Sequence, residues 1–291
     1  DVRLLVGGTQ TNATLIDSIL ARHEGVLAAE SGHIAVHEAG AIEASGHKVL
    51  TLPHHEGKVC AEDVERFMTD FYNDATHEHM VAPGMLYISQ PTEYGTIYSL
   101  SELDSLSATC HRHDIPLYID GARLGYALAA DGNDATLKDL ARLADIFYIG
   151  GTKCGALFGE AVVVTKPGGI KHLFSIIKQH GALLAKGRLL GVQFATLFRD
   201  GLYERLGRNA VEQAMRLREV FEGAGYHSVV ASPTNQQFFS LPNDVIDRLH
   251  EHISFDYWGP RGDKQSVVRL VTSWYTTKED IDRVREVLSS I

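Results

Sequence analysis

The chain has 291 residues, of which 44% are hydrophobic and 22% are charged, and its formal net charge is −10. A chain of this length can bury one large core, or one core with a smaller appended domain. The negative charge argues against a nucleic-acid-binding surface, which needs clustered lysines and arginines. No segment approaches the roughly 18 consecutive apolar residues that a membrane-spanning helix needs. We therefore expect a globular protein that binds neither nucleic acid nor a membrane.

Three cysteines, Cys60, Cys110 and Cys154, are widely spaced and form no CxxC pair. This pattern argues against a disulfide framework and predicts a reducing compartment, the cytoplasm. The sequence opens on an apolar run at 2–6 that reads as a strand already under way. We therefore expect that an N-terminal segment of the full protein is missing.

Apolar runs of strand length alternate with segments of helical period along the first two thirds of the chain. This alternation is typical of an α/β fold with a mostly parallel sheet covered by helices. The predicted strands lie at 2–6, 25–29, 48–52, 85–89, 116–119, 145–149 and 161–165, and the predicted helices at 12–23, 34–45, 60–74 and 101–113.

The last third of the chain has a different pattern. A long amphipathic helix is predicted at 202–222, followed by strands at 237–241 and 267–271 and a closing helix at 278–288. We therefore predict a large domain over residues 1–200. The bridging helix and a small α+β domain then occupy residues 201–291.

Ligands of open α/β sheets collect at the carboxyl ends of the strands, and three features of the sequence fall there. The first is Gly7-Gly8-Thr9-Gln10, between a strand and a helix. Small residues at this position let backbone N–H groups and the helix N-terminus face a phosphate, although an ordinary turn has the same composition. Neither GxGxxG nor GxxxxGK[ST] is present, so a dinucleotide fingerprint and a P-loop are excluded.

The second feature is Asp120, which ends an apolar strand and is followed by Gly121-Ala122-Arg123. An aspartate at this position often caps the next helix. It can instead pair with a protonated pyridine nitrogen, the contact that keeps pyridoxal phosphate (PLP) an electron sink.

The third feature is Lys153, flanked by glycines at the end of another apolar strand in Gly150-Gly151-Thr152-Lys153-Cys154-Gly155. Desolvation lowers the pKa of an amine and makes it a competent Schiff-base nucleophile. Asp120 and Lys153 are 33 positions apart, about the length of one βαβ unit. The two side chains are therefore expected at the same edge of the sheet, where together they favour PLP chemistry.

This set of residues resembles the threonine aldolase branch of the fold-type I PLP enzymes, which is grouped with the β-eliminating lyases. The resemblance runs from Gly7 to the last helix, and its most specific part is Asp120-Gly-Ala-Arg-Leu followed by the Lys153 segment. It implies a three-layer large domain like that of aspartate aminotransferase, with a small C-terminal α+β domain. It also implies that Lys153 carries PLP as a Schiff base and that Asp120 holds the ring nitrogen.

Other site residues follow from the resemblance alone. Gly8 and Thr9 match the phosphate loop of the family, and His33 matches a histidine whose ring stacks on the cofactor. Thr152 stands where a serine commonly contacts the phosphate. Lys186 stands where an arginine approaches the phosphate from a neighbouring subunit.

The resemblance also implies a site for the carboxylate of an amino-acid substrate. Arg123 matches an arginine near the cofactor, and Arg269 matches the small-domain arginine that binds the carboxylate. A guanidinium group fits a carboxylate through two parallel hydrogen bonds. The chain departs from the family at Glu93, where a second active-site histidine is usual. The N-terminal segment that supplies a substrate-binding serine in the family is also absent from this sequence.

The implied reaction is retro-aldol cleavage of L-threonine, L-allo-threonine or a related β-hydroxy-α-amino acid to glycine and an aldehyde. His33 is then the expected general base for the β-hydroxyl proton. A β-eliminating lyase, an aminotransferase and a non-catalytic small-molecule-binding module remain alternatives, because the fold alone does not determine function. A homodimer or homotetramer with active sites at the subunit interface is also expected from the resemblance.

Other chemistries are disfavoured by the spacing of the residues that they need. The fifteen histidines include no HExxH and no Cys/His zinc spacing, so no catalytic metal is expected. No GxSxG motif is present for a hydrolase. Cys154, next to Lys153, is interpreted as a packing residue rather than a nucleophile.

Overall fold

A computed structural model describes residues 1–290 of the chain. Ten strands form two sheets, one of seven strands and one of three. The strands of the large sheet are β1 (Val2–Leu5), β2 (Glu24–Ala29), β3 (Val49–Leu52), β4 (Ala82–Ser89), β5 (Leu117–Asp120), β6 (Ile146–Gly150) and β7 (Glu160–Val164). Those of the small sheet are β8 (Gln236–Pro242), β9 (Asp256–Tyr257) and β10 (Gln265–Val271).

The large sheet has the strand order β1-β7-β6-β5-β4-β2-β3. Neighbours from β6 to β3 are parallel, whereas β7 runs antiparallel to both β6 and β1. The central parallel strands β4, β5 and β6 are almost entirely buried, as expected for strands covered on both faces. Their carboxyl ends therefore meet at one edge of the sheet.

Helices cover both faces of this sheet. They are α1 (Gly8–Ile19), α2 (His33–Val36), α3 (Ala41–Ala44), α4 (Ala61–Asn73), α5 (Leu100–Arg112), α6 (Leu124–Leu128), α7 (Leu137–Leu143), α8 (Leu173–Gln179) and α9 (Arg188–Leu197). Alternate residues of each strand enter two hydrophobic clusters on opposite faces: Leu86 and Ile88 pack with α4 and α5, whereas Met85 and Tyr87 pack with α1 and α8. The predicted alternation of strands and helices is thus found.

The C-terminal part packs around a third cluster. It contains α10 (Leu202–Gly223), α11 (Asn243–Leu249), α12 (Lys278–Ser290) and the antiparallel small sheet, with β10 between β8 and β9. The first half of α10 contributes Ala210 and Val211 to the core of the large sheet. The second half contributes Leu217 and Phe221 to the third cluster. Helix α10 therefore connects the two cores.

Two helices differ from their predicted positions. Helix α1 spans Gly8–Ile19 and so begins inside the segment predicted as a turn, separated from the end of β1 by two residues. The helix predicted at 34–45 is two short helices, since Ala39 and Gly40 have positive φ angles of 51° and 71°. Left-handed residues of this kind end a right-handed helix.

No helix within residues 1–290 combines the length and the apolar composition that a membrane crossing demands.

Candidate active site

A cavity lies at the carboxyl ends of the central strands and brings together most of the residues predicted from the sequence. Its lining includes eight of them: Gly8, Thr9, His33, Glu93, Asp120, Arg123, Thr152 and Lys153. Asp120 ends β5, and Lys153 follows the end of the adjacent parallel strand β6 by three residues. The carboxylate and the amine thus face one cavity, as the 33-residue spacing predicted.

Asp120 is a buried carboxylate with a complete set of hydrogen-bond donors. Its Oδ1 accepts hydrogen bonds from the Tyr148 hydroxyl and from the Ala122 backbone N–H at 2.9 Å. Its Oδ2 accepts from the Tyr87 hydroxyl at 2.7 Å and from Nδ2 of Asn12 at 3.0 Å. Four donors stabilise a carboxylate in its charged form. These hydrogen bonds replace the water contacts that Asp120, which is only 4% exposed, loses on burial.

The tyrosines come from the strands on either side of β5. Tyr87 lies on β4, directly opposite Tyr118, and Tyr148 lies on β6 on the same face of the sheet. Burial, and then the charge of Asp120, raise the pKa of Tyr87 and of Tyr148 well above the ordinary value. Both hydroxyls consequently stay protonated and act as donors to the carboxylate.

Lys153 reaches the cavity because glycines let the ends of β5 and β6 approach closely. The Gly150 N–H donates to the Gly121 carbonyl at 2.9 Å. A Cβ atom on Gly121 would lie 1.9 Å from the Tyr148 carbonyl oxygen, a clash that excludes any larger residue there. Burial, and then the positive charge of Arg123, lower the pKa of Lys153. A lowered pKa increases the fraction of neutral, nucleophilic amine at neutral pH.

Backbone and hydroxyl groups that line the cavity suit an anion. Gly8 and Thr9 are the first residues of α1, whose N-terminus has no side-chain cap, so its N–H groups are available to an anionic ligand. The Thr152 hydroxyl accepts a hydrogen bond from the Gly159 N–H at 2.9 Å and also borders the cavity. Glu160 lies in the same wall, and burial raises its pKa to about 7.

His33 and Glu93 meet at the side of the cavity that faces the small sheet. Oε1 of Glu93 accepts the backbone N–H of His33 at 2.9 Å and the Ser89 hydroxyl at 2.7 Å. Burial raises the pKa of Glu93, while the hydrogen bond from Ser89 opposes that shift. A titratable group of this kind beside a histidine can exchange protons with a bound ligand.

A second, more open cavity continues outward from the first. Its lining includes His33, Glu93 and Arg123, which it shares with the first cavity, and adds Arg269 from β10. Arg269 donates to Oδ2 of Asp256 at 2.6 Å and to Gln236 at 3.2 Å, which fixes its position. Arg123 and Arg269, the predicted carboxylate-binding residues, therefore line the same outer cavity.

Arg123 lacks an anionic partner among residues 1–290. Burial, and then the positive charge of Arg269, lower its pKa. Two guanidinium groups that repel each other at one entrance form a favourable site for a carboxylate, which relieves the repulsion.

Two other residues singled out in the sequence lie outside this arrangement. Lys186 is exposed before α9 and does not line the cavity of the single chain. Burial raises the pKa of Cys154 to about 11, so its thiol stays protonated and a role in packing is consistent with its position. Among residues 1–290, no group of three or more histidines, cysteines and carboxylates is arranged to hold a metal ion.

The sequence does not identify several polar residues of the site, among them Asn12, Glu38, Tyr87, Tyr148 and Glu160. The tyrosine contacts depend on the register of neighbouring strands, which a single sequence does not specify. The sequence predicts Asn12 in a helix, but its orientation toward Asp120 depends on how α1 packs on the sheet. The sequence predicts Glu160 just before a strand and gives no direction for its side chain.

PLP fits this set of donors. The Asp120 carboxylate, held by four donors, can accept the N–H⁺ of the PLP pyridine ring. The desolvated Lys153 amine can bond the aldehyde carbon of PLP. The uncapped N-terminus of α1 can bind the phosphate. All three groups line one cavity.

Comparison with known proteins supports the same conclusion. The model of the β-eliminating lyase family matches residues 3–243. A structure of threonine aldolase from Leishmania major is 42% identical in sequence to this chain and superposes on it with a TM-score of 0.95. The alignment covers all of this chain and 84% of the Leishmania chain. The low specificity L-threonine aldolase of Pseudomonas aeruginosa is 27% identical to this chain, in an alignment that covers all of this chain and 82% of the Pseudomonas protein.

Aspartate aminotransferase from Thermus thermophilus, at 17% identity, shares the fold with a TM-score of 0.70 over 99% of this chain and 75% of its own. This similarity confirms the predicted fold class. The family match confirms the resemblance stated from the sequence and, with it, the PLP cofactor. The chain belongs to the β-eliminating lyase family.

Proposed function

We propose that the chain is a PLP-dependent carbon–carbon lyase that cleaves L-threonine, L-allo-threonine and related β-hydroxy-α-amino acids to glycine and an aldehyde. One observation carries this proposal: the Lys153 amine and the Asp120 carboxylate line the same cavity. Its similarity to proteins named threonine aldolase supports the choice of reaction within the family.

Three parts of the chain would hold the cofactor. Lys153 would bond its aldehyde carbon, Asp120 would accept the ring N–H⁺, and Gly8 and Thr9 at the N-terminus of α1 would bind its phosphate with help from Thr152. His33 would pack against the ring. When bound, PLP accepts the electron pair of the bond that breaks at the substrate α-carbon.

The substrate is oriented by its carboxylate. Arg123 and Arg269 bind the carboxylate at the junction of the two cavities, where their mutual repulsion favours an anion. Two fixed guanidinium groups determine how the substrate is rotated about its α-carbon. They therefore decide which α-carbon bond is activated.

Proton transfer is assigned to the side of the site formed by His33 and Glu93. His33 removes the proton of the β-hydroxyl as the bond between the α-carbon and the β-carbon breaks. Glu93 contacts the backbone of His33 and replaces the second histidine that the family commonly has. Its raised pKa suits a group that hydrogen-bonds the substrate hydroxyl.

Product analysis tests the reaction. Purified protein loaded with PLP is incubated with L-threonine, L-allo-threonine and phenylserine, and glycine and aldehyde are quantified. Release of aldehyde with an equal amount of glycine supports the proposal. Pyruvate with ammonia would indicate β-elimination, a new keto acid would indicate transamination, and no turnover with PLP bound would indicate a binding module.

The proposal includes a division at residue 200, with the large domain in residues 1–200 and the bridging helix and small domain in residues 201–291. The separate hydrophobic cluster of the small sheet supports it. A cytoplasmic location is also proposed, in line with three free cysteines.

A homodimer, or a tetramer built from dimers, completes the proposal. Leu157 is 88% exposed, and its backbone N–H donates to Gln193 of α9, whose exposed face carries Leu189 and Val192. Exposed apolar side chains grouped in this way are typical of a subunit interface. Lys186 lies beside this surface, so it can reach the phosphate site of a neighbouring subunit.

A further inference from the structure

Glu38 is a buried carboxylate that the proposed reaction does not yet use. Its side chain is 0% exposed and lies just after the short helix α2, which begins at His33. The left-handed residues Ala39 and Gly40 follow it and turn the chain away. A carboxylate is buried in this way only when specific partners compensate for its lost hydration.

One partner of Glu38 is the ring of His33. Oε1 of Glu38 lies 2.8 Å from Nδ1 of His33. A carboxylate oxygen accepts hydrogen bonds, so the hydrogen of the neutral ring resides on Nδ1 and leaves Nε2 as the acceptor. No residue from 1 to 290 hydrogen-bonds Nε2. Glu93 accepts the backbone N–H of His33, so the backbone and Nδ1 of the ring are each held while the residue lines the cavity.

The other partner of Glu38 is Asn12, whose amide is fully used. Nδ2 donates to Oε1 of Glu38 at 2.7 Å and to Oδ2 of Asp120 at 3.0 Å. Oδ1 accepts the Tyr118 hydroxyl at 2.7 Å. If the Asn12 amide were flipped, its oxygen would lie against the carboxylates of Glu38 and Asp120 and would be repelled. The orientation of the amide is therefore fixed by its neighbours. Asn12 therefore holds the carboxylate behind His33 at a fixed position relative to Asp120.

The second oxygen of Glu38 is informative as well. Oε2 is buried and has no hydrogen-bond partner among residues 1–290. A buried anion with an unfilled hydrogen-bond acceptor is stabilised more by a neighbouring cation than an anion with all its hydrogen bonds formed. Protonation of His33 at Nε2 creates such a cation next to Oε1. Glu38 is thus poised to stabilise the charged form of the ring more than the neutral form.

We propose that Glu38 is a positioning residue that holds the His33 ring with an unprotonated Nε2 toward the substrate and stabilises the ring once it takes up a proton. Asn12 couples this pair to Asp120. The inference rests on the proposed lyase function. The β-hydroxyl proton moves to Nε2, the O–H electron pair becomes the second bond of the aldehyde carbonyl, and the Cα–Cβ pair stays with the glycine fragment.

Nitrogen-15 NMR of the histidine rings in the PLP-loaded wild-type protein tests the tautomer without reference to activity. A His33→Gln variant identifies the signal. The inference predicts that at pH 8 His33 carries its hydrogen on Nδ1 and none on Nε2. A hydrogen on Nε2 with a bare Nδ1 would overturn the inference.

A Glu38→Gln variant tests the catalytic consequence. Glutamine keeps the size of the side chain and removes its charge, so we expect kcat for threonine cleavage to fall about 10- to 100-fold with KM changed by less than about threefold. Exchange of the glycine α-hydrogen with solvent involves no β-hydroxyl proton, and its rate should stay unchanged. PLP absorbance and affinity should also stay unchanged.

Two further variants make the result specific. Glu43→Gln makes the same change at an exposed position five residues on and should behave as the wild type. Glu38→Asp keeps the charge and should recover part of the lost kcat. Equal losses of cleavage and glycine exchange in Glu38→Gln, or no loss of cleavage, would overturn the inference. Failure of the wild type itself to release aldehyde would instead refute the proposed function.

Discussion

Tyr148 donates a hydrogen bond to the Asp120 carboxylate from the adjacent strand, and Tyr87 does the same from the strand on the other side. Both hydroxyls are buried and stay protonated, so each has a hydrogen to donate to the carboxylate. The acid expected to hold the cofactor nitrogen therefore has its charge stabilised by the sheet itself.

Removing these hydroxyls should weaken catalysis without unfolding the protein. Phenylalanine fills the same space, and each lost hydrogen bond to a charged group is worth about 1.5–3 kcal/mol. We expect Tyr87→Phe and Tyr148→Phe each to lower kcat about tenfold. Tyr118→Phe is the matched control, because the Tyr118 hydroxyl donates to Asn12 rather than to Asp120. A larger loss in the control than in the two variants would contradict the role assigned to the tyrosines.

Arg123 should determine affinity for the substrate carboxylate. Lysine preserves the charge but cannot form two parallel hydrogen bonds, so Arg123→Lys should lower kcat/KM about 100-fold, mainly through KM. Steady-state kinetics with L-threonine measures this. Arg261→Lys, an exposed arginine of the small-sheet region that pairs with Asp247, should leave both constants unchanged. An unchanged KM in Arg123→Lys would place the carboxylate elsewhere.

Glu160 should make the stability of the PLP-free protein depend on pH. Burial raises its pKa to about 7 in the folded chain, from the 4.5 of an unperturbed glutamate. Between these values the folded state keeps a proton that the unfolded state has lost, so the stabilising contribution of the protonated form disappears as pH rises through 7. Glu160→Gln is neutral throughout. The free energy of unfolding of this variant should exceed that of the wild type by about 2 kcal/mol at pH 8 and by much less at pH 5.

Urea denaturation at the two pH values measures this difference. Glu251→Gln, at an exposed position, is the control and should show no pH-dependent change. Equal stability of Glu160→Gln and the wild type at pH 8 would contradict the assignment.

Lys186 should act on the phosphate of a neighbouring subunit. Lys186→Ala should weaken PLP binding about tenfold, and Lys153→Ala should abolish activity. When the two variants pair at random, half of the dimers contain one subunit of each. Each mixed dimer has one site with both lysines and one site with neither, so roughly a quarter of all sites recover. Activity at limiting PLP after co-expression measures the recovery. No recovery would mean that Lys186 acts within its own chain or not at all.

Local patterns, namely apolar runs and the turn residues that bound them, predict the long helix α10 and nine of the ten strands, whereas the two-residue strand β9 gives no such signal. Glycines, strand ends and spacing along the chain also predict Gly8, Thr9, Asp120 and Lys153, whereas His33, Glu93, Arg123 and Thr152 depend on the family resemblance. Asn12, Glu38 and Tyr148 could not be found in this way. Their contacts join residues up to 108 positions apart, and they depend on strand register and on the rotation of α1. The break of the helix predicted at 34–45 was missed because Ala39, which adopts a positive φ, gives no local signal.

The most direct measurement locates the lysine that bonds the cofactor. PLP-loaded protein is reduced with borohydride, digested and mapped by mass spectrometry, with Lys153→Ala as the control. We expect the pyridoxyl mass on Lys153 alone and none in the variant. A label on Lys186 or another lysine, or undiminished labelling in Lys153→Ala, would contradict it.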